Sequence, residues 1–342
     1  MRRVVAIGGG HGLAQILRGL KLLDEVAITG ICGNTDDGGS TKKAIIEYGA
    51  ASYLGDLTRL VIALCSDEAF AAALDYRFKS GSLEGWTPRH VMLLALEKIY
   101  SEDPDKALEI LCRYCRTGSN RVMPMTRDRV SLQSVLSQLG RQDQNRPNLL
   151  KLEGEAELDA ITQNRAWPAL SLKGLSLSAP AKISKRPARA IRRAHYIVIA
   201  PGSFYGSIIA TLLPEGVIRA FAESNAEIVL FLNVCKTAGE THHFDAGDFV
   251  QRVQAVIGKS VHHVVCDNSK IARKLARAGR ERISWKDFLD EEREIGPVCR
   301  VRTAPLASMT PDGQCLHDPQ LVADFFQSLF AEKEKEKAAT AA

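Results

Sequence analysis

Two adjacent carboxylates, Asp36 and Asp37, lie in a glycine-rich loop directly after residues 26–31, an apolar run that predicts a buried strand. Like charges side by side repel each other and glycines cost backbone entropy, so such a loop suggests a bound ligand. Carboxylates can ligate Mg²⁺, with a ligand diphosphate supplying further oxygens. We therefore assign Asp36 and Asp37 as candidate Mg²⁺ ligands and catalytic residues, the alternative being a solvated turn. Asn34 and Ser40 of the same loop are candidate ligand-binding residues.

Three further loops follow predicted strands and carry residues suited to phosphate binding. In the first, residues 8–12, glycines let the backbone approach a ligand closely, and the helix behind them presents free N–H groups to an anion. In the second, a predicted helix through residues 207–213 follows Gly202 and Ser203. These two residues could bind phosphate at the start of that helix, or they could serve only to cap it. The simpler alternatives are a tight turn for the first loop and ordinary composition for the third. The candidate ligand-binding residues of the three loops are Gly9, Gly10, His11, Gly12, Gly202, Ser203, Asn233, Thr237 and Glu240.

Apolar, β-branched runs alternate with helical patterns along the chain. This alternation predicts a doubly wound, mostly parallel Rossmann-like α/β sheet with helices on both faces. Because the carboxyl ends of parallel strands meet at one edge, the four loops should emerge together, at the crevice where strand order reverses. The predicted strands are residues 4–7, 26–31, 196–200, 227–232 and 261–266. The predicted helices are residues 13–22, 57–64, 91–100 and 105–115, the last opened by Pro104.

Residues 1–330 are predicted to form a single α/β domain. Short strand patterns with polar connections occupy residues 118–180, which are typical of a small inserted sub-domain. Three of these patterns cover residues 121–126, 149–152 and 172–177. Residues 331–342 are rich in Lys, Glu and Ala and are predicted to be a flexible charged tail.

The composition argues against several classes of protein. The chain has 342 residues, 45% of them hydrophobic, and a formal charge of +5, which are globular values. Nucleic-acid binding is not indicated, because the sequence shows no basic face interleaved with aromatic residues. The sequence contains no apolar run of about 18 residues, so no membrane span is predicted. The eight scattered cysteines do not complete a zinc site and indicate reduced thiols in a cytoplasmic protein.

Taken in order, these loops resemble the family of the 2-phospho-L-lactate transferase CofD and its YvcK-type relatives, the gluconeogenesis factors. The family opens with GGGTGL, matched by residues 8–13, and continues with an ADDGGSS-like loop, matched by residues 35–40. A PGDIRNCLVAL-like helix corresponds to residues 54–64. The likeness covers nearly the whole chain, through residues 122–126, 153–155, 201–203, 233, 239–241 and 317–318.

The resemblance implies a Rossmann-like fold with a nucleotide-diphosphate ligand. In the YvcK branch, which residues 54–64 favour, it implies regulatory binding of a UDP-sugar, linked to carbon flow and cell-wall synthesis. In the transferase branch it implies transfer of a phospho-acyl group from a guanosine diphospho-lactate or related diester to a deazaflavin acceptor, with Mg²⁺.

Several positions depart from the family pattern, including Lys236-Thr237, which stand where TQ precedes GET. His11 stands where Thr is usual, and Arg89 and His90 replace a Gly-Asn pair in a GHSVGNLLL-like segment. Arg89 adds a fixed positive charge, and we assign it to ligand binding. His90 has an ordinary pKa near 6.5, and we assign it to catalysis. These changes predict an altered pocket opposite the aspartates.

Three functions remain open from the sequence. The first is YvcK-type binding of a nucleotide-diphosphate ligand, with a Mg²⁺-dependent phospho-acyl transferase as the alternative. A NAD-dependent oxidoreductase is suggested by residues 8–12 alone, and the displaced acidic residues argue against it. We expect a small-molecule nucleotide partner and a homodimer, with neither nucleic acid nor membrane.

Overall fold

The computed structural model describes residues 1–35, 37, 44, 46–49, 54–100, 103–138, 149–162, 170–237, 240–277, 283, 299–310 and 313–341. Seven strands form its central sheet, and every neighbouring pair is parallel. Their bounds are Arg2–Gly8 (β1), Val26–Cys32 (β2), Arg121–Pro124 (β3), Tyr196–Ile199 (β7), Glu227–Phe231 (β8), His263–Asp267 (β9) and Arg300–Ala304 (β10). The order across the sheet is β10-β9-β8-β7-β1-β2-β3, which confirms the predicted Rossmann-like α/β fold.

Helices cover both faces of the sheet. They are Gly10–Lys21 (α1), Leu54–Ala63 (α2), Glu68–Asp75 (α3), Pro88–Ile99 (α4), Pro104–Tyr114 (α5), Glu155–Thr162 (α6), Lys185–Arg193 (α7), Ala210–Leu212 (α8), Val217–Ala222 (α9), Ala246–Ile257 (α10), Lys270–Arg277 (α11) and Pro319–Ala341 (α12). A π-helix, Phe204–Ile209, runs directly into α8.

The hydrophobic core has two parts, one on each face of the sheet. Successive residues of a strand point to opposite faces, so Val4 and Ala6 of β1 join one part while Val5 and Ile7 join the other. The first part includes α1 to α5 and α12, and the second includes α7, α9, α10 and the π-helix. Burial on both faces explains why the strands of this parallel sheet appear in the sequence as continuous apolar runs.

The middle of the chain forms a second, antiparallel sheet. Its strands are Leu132–Gln138 (β4), Leu149–Glu153 (β5) and Leu170–Leu177 (β6), in the order β5-β4-β6. The strand predicted at residues 121–126 is instead β3, at the edge of the central sheet, because residues 29–32 of β2 pair with it. A short hairpin, Ala307–Met309 (β11) with Cys315–His317 (β12), precedes α12. The predicted division into domains stays a prediction.

The charged segment near the end of the chain continues α12 through residue 341. Lys, Glu and Ala are strong helix formers, and several of these charges are paired. Glu332 binds Arg302 at 2.6 Å, and Lys333 binds Glu227 at 2.8 Å. The segment is therefore helical where the structure describes it, and its flexibility stays a prediction. Among the described helices, none is both long and apolar enough to cross a membrane.

Candidate functional site

The order of the strands reverses between β1 and β7. From β1 the chain builds the sheet outward through β2 and β3, and it then crosses over to β7 on the other side of β1. Ligands of open parallel sheets bind at such a point, in the crevice outside the carboxyl ends of the strands. The loops after β1, β2, β7 and β8 all leave the sheet at this edge because these strands are parallel. The four predicted loops therefore share one edge, as the sequence led us to expect.

The loops after β1 and β7 are in direct contact across the crevice. A Cβ atom added to Gly12 would overlap the Pro201 carbonyl oxygen and lie 2.8 Å from its carbonyl carbon. Only glycine allows two backbones to approach so closely at this position. The loops after β1 and β7 therefore meet backbone to backbone at Gly12 and Pro201.

Asp56 anchors the N-terminal end of α1. Its Oδ2 accepts a hydrogen bond of 2.9 Å from the Gly10 N–H, and its Oδ1 lies 2.8 Å from Arg59 Nη1. The first amides of a helix have no acceptor within that helix. In the described part of the chain, Asp56 takes the amide of Gly10, whereas no acceptor is found for those of His11 and Gly12. These two amides are the ones that the α1 N-terminus offers to a ligand.

His11 lies close to a group of arginines. Desolvation of its ring, followed by the Arg59 charge, lowers the pKa of His11 to about 4, although the residue is exposed. Arg89 and Arg18 act in the same direction, while Asp56 opposes them. The imidazole is therefore neutral at pH 7, and the positive potential around it favours an anionic ligand on this side of the crevice.

Ser203 and Glu240 fix the loop after β7. Ser203 is the N-cap of the π-helix, and its hydroxyl accepts from the Gly206 N–H at 3.3 Å. The same hydroxyl lies 3.1 Å from Asp159 Oδ1 and 3.2 Å from Glu240 Oε1. Glu240 Oε1 also accepts from the Tyr205 N–H at 2.7 Å. The predicted ligand residues Ser203 and Glu240 are thus brought together, and both hold the start of the π-helix.

Burial dominates the electrostatics of Glu240. Its side chain is fully enclosed, and this desolvation raises the pKa of Glu240 to about 7, with the Asp159 charge acting in the same direction and the Tyr205 amide opposing it. Thr237 shapes the turn that presents Glu240, since its carbonyl accepts from the Glu240 N–H at 3.2 Å and the Thr241 N–H at 2.9 Å. Glu240 therefore holds its proton to a higher pH than an exposed glutamate does.

Asn233 connects the loops after β7 and β8. Its Oδ1 accepts from the Gly202 N–H, and its Nδ2 donates to the Gly202 carbonyl, both at 2.8 Å. The side-chain amide therefore closes a two-bond ring with one residue of the neighbouring loop. This geometry makes Asn233 a support for Gly202, and binding of a ligand by Asn233 itself stays a prediction.

Asp37 lies beside α6. Its Oδ1 accepts from the Ala156 N–H at 2.9 Å, in the first turn of that helix. Gly154 makes this approach possible, because its φ is +102° and a Cβ atom there would lie 2.9 Å from Asp37 Cγ. Burial raises the pKa of the nearby Asp159, the Ser203 hydrogen bond opposes that effect, and the Asp37 charge adds to it. Asp37 and Asp159 therefore give this side of the crevice an acidic character.

The predicted Mg²⁺ site is only partly described. Asp36 and Ser40 lie outside the described residues, and the buried Asn34 bonds to the Asp128 carbonyl through Nδ2. Within the described residues, no three His, Cys, Asp or Glu side chains converge to hold a metal ion. Asp37 Oδ1 accepts from the Ala156 N–H, Asp36 lies outside the described residues, and the assignment of Mg²⁺ to Asp36 and Asp37 stays a prediction.

Arg89 and His90 begin α4 and are both buried. Arg89 forms an ion pair with Asp75 through Nη1. Desolvation, followed by the Arg89 charge, lowers the pKa of His90 to about 3, so the ring is neutral at pH 7. A catalytic His90, which stays a prediction, would therefore begin its reaction as a neutral imidazole.

Sequence reasoning missed several groups that shape the crevice. Asp56 lies in the first turn of α2, and Glu155 at the start of α6 accepts from the Ser207 hydroxyl at 2.8 Å. A carboxylate in the first turn of a helix usually stabilises the N-terminal end of that helix, so the local sequence gives no sign that it binds a distant partner. Asp56 acts 46 residues away, on Gly10.

The fold and this geometry define a Rossmann-like α/β protein whose candidate ligand crevice lies at the switch point. The basic side of the crevice is at α1 and the acidic side at α6. The chain belongs to the CofD family, because the family model described as 2-phospho-L-lactate transferase CofD matches residues 4–307.

Known relatives agree with this assignment, and a solved structure shares the fold. A Thermotoga maritima protein that bears a gluconeogenesis-factor name is 30% identical over 85% of this chain and 86% of its own length. The gluconeogenesis factor of Listeria innocua is 28% identical over 98% of both chains. A crystal structure of a UPF0052-family protein from Bacillus halodurans has the same fold, with a TM-score of 0.78, 23% identity, and coverage of 95% of this chain and 99% of that one.

Proposed function

We propose that this protein binds a nucleotide-diphosphate ligand in the switch-point crevice and acts as a regulatory protein of the YvcK type. The observation that carries the proposal is that the loops after β1 and β7 touch at Gly12 and Pro201, next to the His11 and Gly12 amides, for which the described part of the chain provides no acceptor. A helix N-terminus with open amides favours phosphate groups. The gluconeogenesis-factor names of the relatives support the regulatory branch.

The two sides of the crevice suit the two parts of such a ligand. The diphosphate belongs on the basic side, where the Arg59 and Arg89 charges act on His11. Sugar or ribose hydroxyls belong on the acidic side, since carboxylates such as Asp159 accept hydrogen bonds from them. This division gives the ligand one orientation across the switch point.

A panel of UDP, GDP, UDP-sugars and GDP-sugars tests the proposal by thermal unfolding, with recovery of the ligand afterwards. A ligand at 100 times its Kd stabilises the folded state by about 2.7 kcal/mol, which gives a measurable rise in Tm. We expect at least one nucleotide sugar to stabilise the protein and to be recovered intact. Absence of stabilisation across the whole panel would contradict the proposal.

A second candidate function is a Mg²⁺-dependent transferase that moves a phospho-acyl group from a nucleoside-diphosphate donor to an acceptor hydroxyl. The family description as a transferase and the acidic side of the crevice favour it. The acceptor oxygen would form a bond to phosphorus while the bond to the nucleoside monophosphate breaks, so that the monophosphate leaves and the hydroxyl proton passes to solvent. Mg²⁺-dependent release of this monophosphate, lost in an Asp36→Asn, Asp37→Asn variant, is the expected result. No release with any donor and acceptor would remove this candidate.

A further inference from the structure

The N-terminal end of α4 contains a hydroxyl group that serves no capping role. Thr87 is the N-cap residue, and Pro88 opens the helix. The amides of His90 and Val91 bond to the Thr87 carbonyl, at 3.0 and 3.3 Å, and the Thr87 side chain caps none of them. Thr87 is 0% exposed, and among the described residues its hydroxyl has no hydrogen-bond partner.

The guanidinium group of Arg89 is also incompletely paired. Arg89 is 2% exposed, and its Nε has no hydrogen-bond partner in the described part of the chain. Its Nη1 pairs with Asp75, whose side chain is 46% exposed, so this end of the guanidinium lies near bulk solvent. A buried, unsatisfied donor on a charged group is costly, which indicates that a partner binds there.

The surroundings of Arg89 are positively charged. Burial lowers the pKa of Arg89 to about 9, and the charges of Arg59 and Arg18 act in the same direction. Asp56 opposes them, but its two oxygens already bind Arg59 and the Gly10 amide. The dipole of α4 adds further positive potential at this end of the helix.

We propose that the N-terminal end of α4 is a binding site for a phosphate-type oxyanion, which accepts hydrogen bonds from Arg89 Nε and the Thr87 hydroxyl. A tetrahedral oxyanion has enough acceptor oxygens for both donors, and its charge adds to that of Asp75 against the positive charges of Arg89, Arg59 and Arg18. Water would satisfy the donors but would not offset the charges of Arg59 and Arg18. The proposal goes beyond the proposed function, since it concerns a helix end that follows no strand of the sheet. It also gives the predicted ligand role of Arg89 a specific form.

Calorimetric titration with inorganic phosphate, at constant ionic strength set with sodium chloride, tests this site. We expect the wild-type protein to bind phosphate saturably. In Thr87→Val, which removes the hydroxyl but keeps the shape of the side chain, the affinity for phosphate should fall by at least about ten-fold. Thr87→Ser should restore binding, and Arg89→Gln should abolish it. The matched control is Arg189→Gln, because Arg189 is exposed on α7. If Arg89→Gln does not fold, the two Thr87 variants carry the test.

A second titration identifies the source of the phosphate. Phosphate that competes with a bound nucleoside diphosphate indicates that the site takes a phosphate group of that ligand, whereas independent binding indicates free phosphate. Both results support the site. Binding that depends on Thr87 in a protein that binds no nucleotide would contradict the proposed function but not this inference. The inference is overturned if the wild type binds no phosphate, or if Thr87→Val and Arg89→Gln bind it as the wild type does.

Discussion

Glu240 gives the protein a specific dependence of stability on pH. Burial raises the pKa of Glu240 from its ordinary 4.5 to about 7. The folded state therefore keeps its proton at pH values where the unfolded chain has lost it, so the contribution of Glu240 to stability falls as pH rises from about 4.5 to about 7. At about 1.4 kcal/mol for each pH unit, the difference amounts to about 3 kcal/mol.

The Glu240→Gln variant isolates this effect. Glutamine resembles the protonated carboxyl and keeps an oxygen to accept from the Tyr205 N–H and the Ser203 hydroxyl. It cannot lose a proton, so the variant should gain about 3 kcal/mol relative to the wild type between pH 4 and pH 8. Titration of Asp159 affects both proteins and largely cancels in the comparison.

Urea unfolding of both proteins at several pH values measures the difference. Glu84→Gln is the matched control, because Glu84 is exposed and the substitution makes the same change from carboxylate to amide at the surface. A wild-type-to-variant difference in unfolding free energy that stays constant from pH 4 to pH 8 would refute the reasoning about Glu240.

Three further predictions concern residues around the crevice. Burial lowers the pKa of His90 from 6.5 to about 3, so the unfolded chain takes up a proton before the folded state does as pH falls, which destabilises the folded state. His90→Asn should remove about 3 kcal/mol of this destabilisation between pH 7 and pH 4, as measured by urea unfolding. Equal losses of unfolding free energy in the variant and the wild type would contradict this. Asn233→Ala removes both bonds to Gly202 and should cost about 1–3 kcal/mol in chemical unfolding, whereas a neutral effect would show that the clamp is dispensable. Asp37→Ala removes the acceptor of the Ala156 amide and should cost about 1 kcal/mol, while Asp37→Asn, which keeps an oxygen, should cost less; equal costs would argue against this bond.

Local patterns were enough to predict most elements that carry a continuous signal. The run at residues 26–31 is β2, and Asp103 with Pro104 marks the start of α5, where the Asp103 side chain caps the Lys106 amide. The edge strand β10 was not predicted, because Arg300 and Arg302 interrupt its apolar pattern and instead pair with Glu332 of α12. Its pairing with β9 depends on tertiary context that a local pattern does not contain.

The candidate site shows the same division. Glycine clusters such as residues 8–12 could be found because close backbone approach requires that residue type. The partners of these loops could not be found, since the bond from Gly202 to Asn233 spans 31 residues and the bond from Ala156 to Asp37 spans 119. The sequence therefore predicted that these loops share one edge of the sheet, while the supporting role of Asn233 emerged only from the structure.

Calorimetric titration of Gly12→Ala with the nucleotide sugar that stabilises the wild type most strongly tests the central claim most directly. The added methyl group overlaps the Pro201 carbonyl and must push the two loops apart, at a cost of about 1–3 kcal/mol. The matched control is Gly174→Ala, whose methyl group would lie 3.8 Å from Val135 Cβ in ordinary contact. We predict that the wild type and the control bind the nucleotide sugar saturably. In Gly12→Ala, the affinity for the nucleotide sugar should fall by at least about ten-fold. A folded Gly12→Ala protein that binds as tightly as the wild type would contradict the placement of the ligand between these loops.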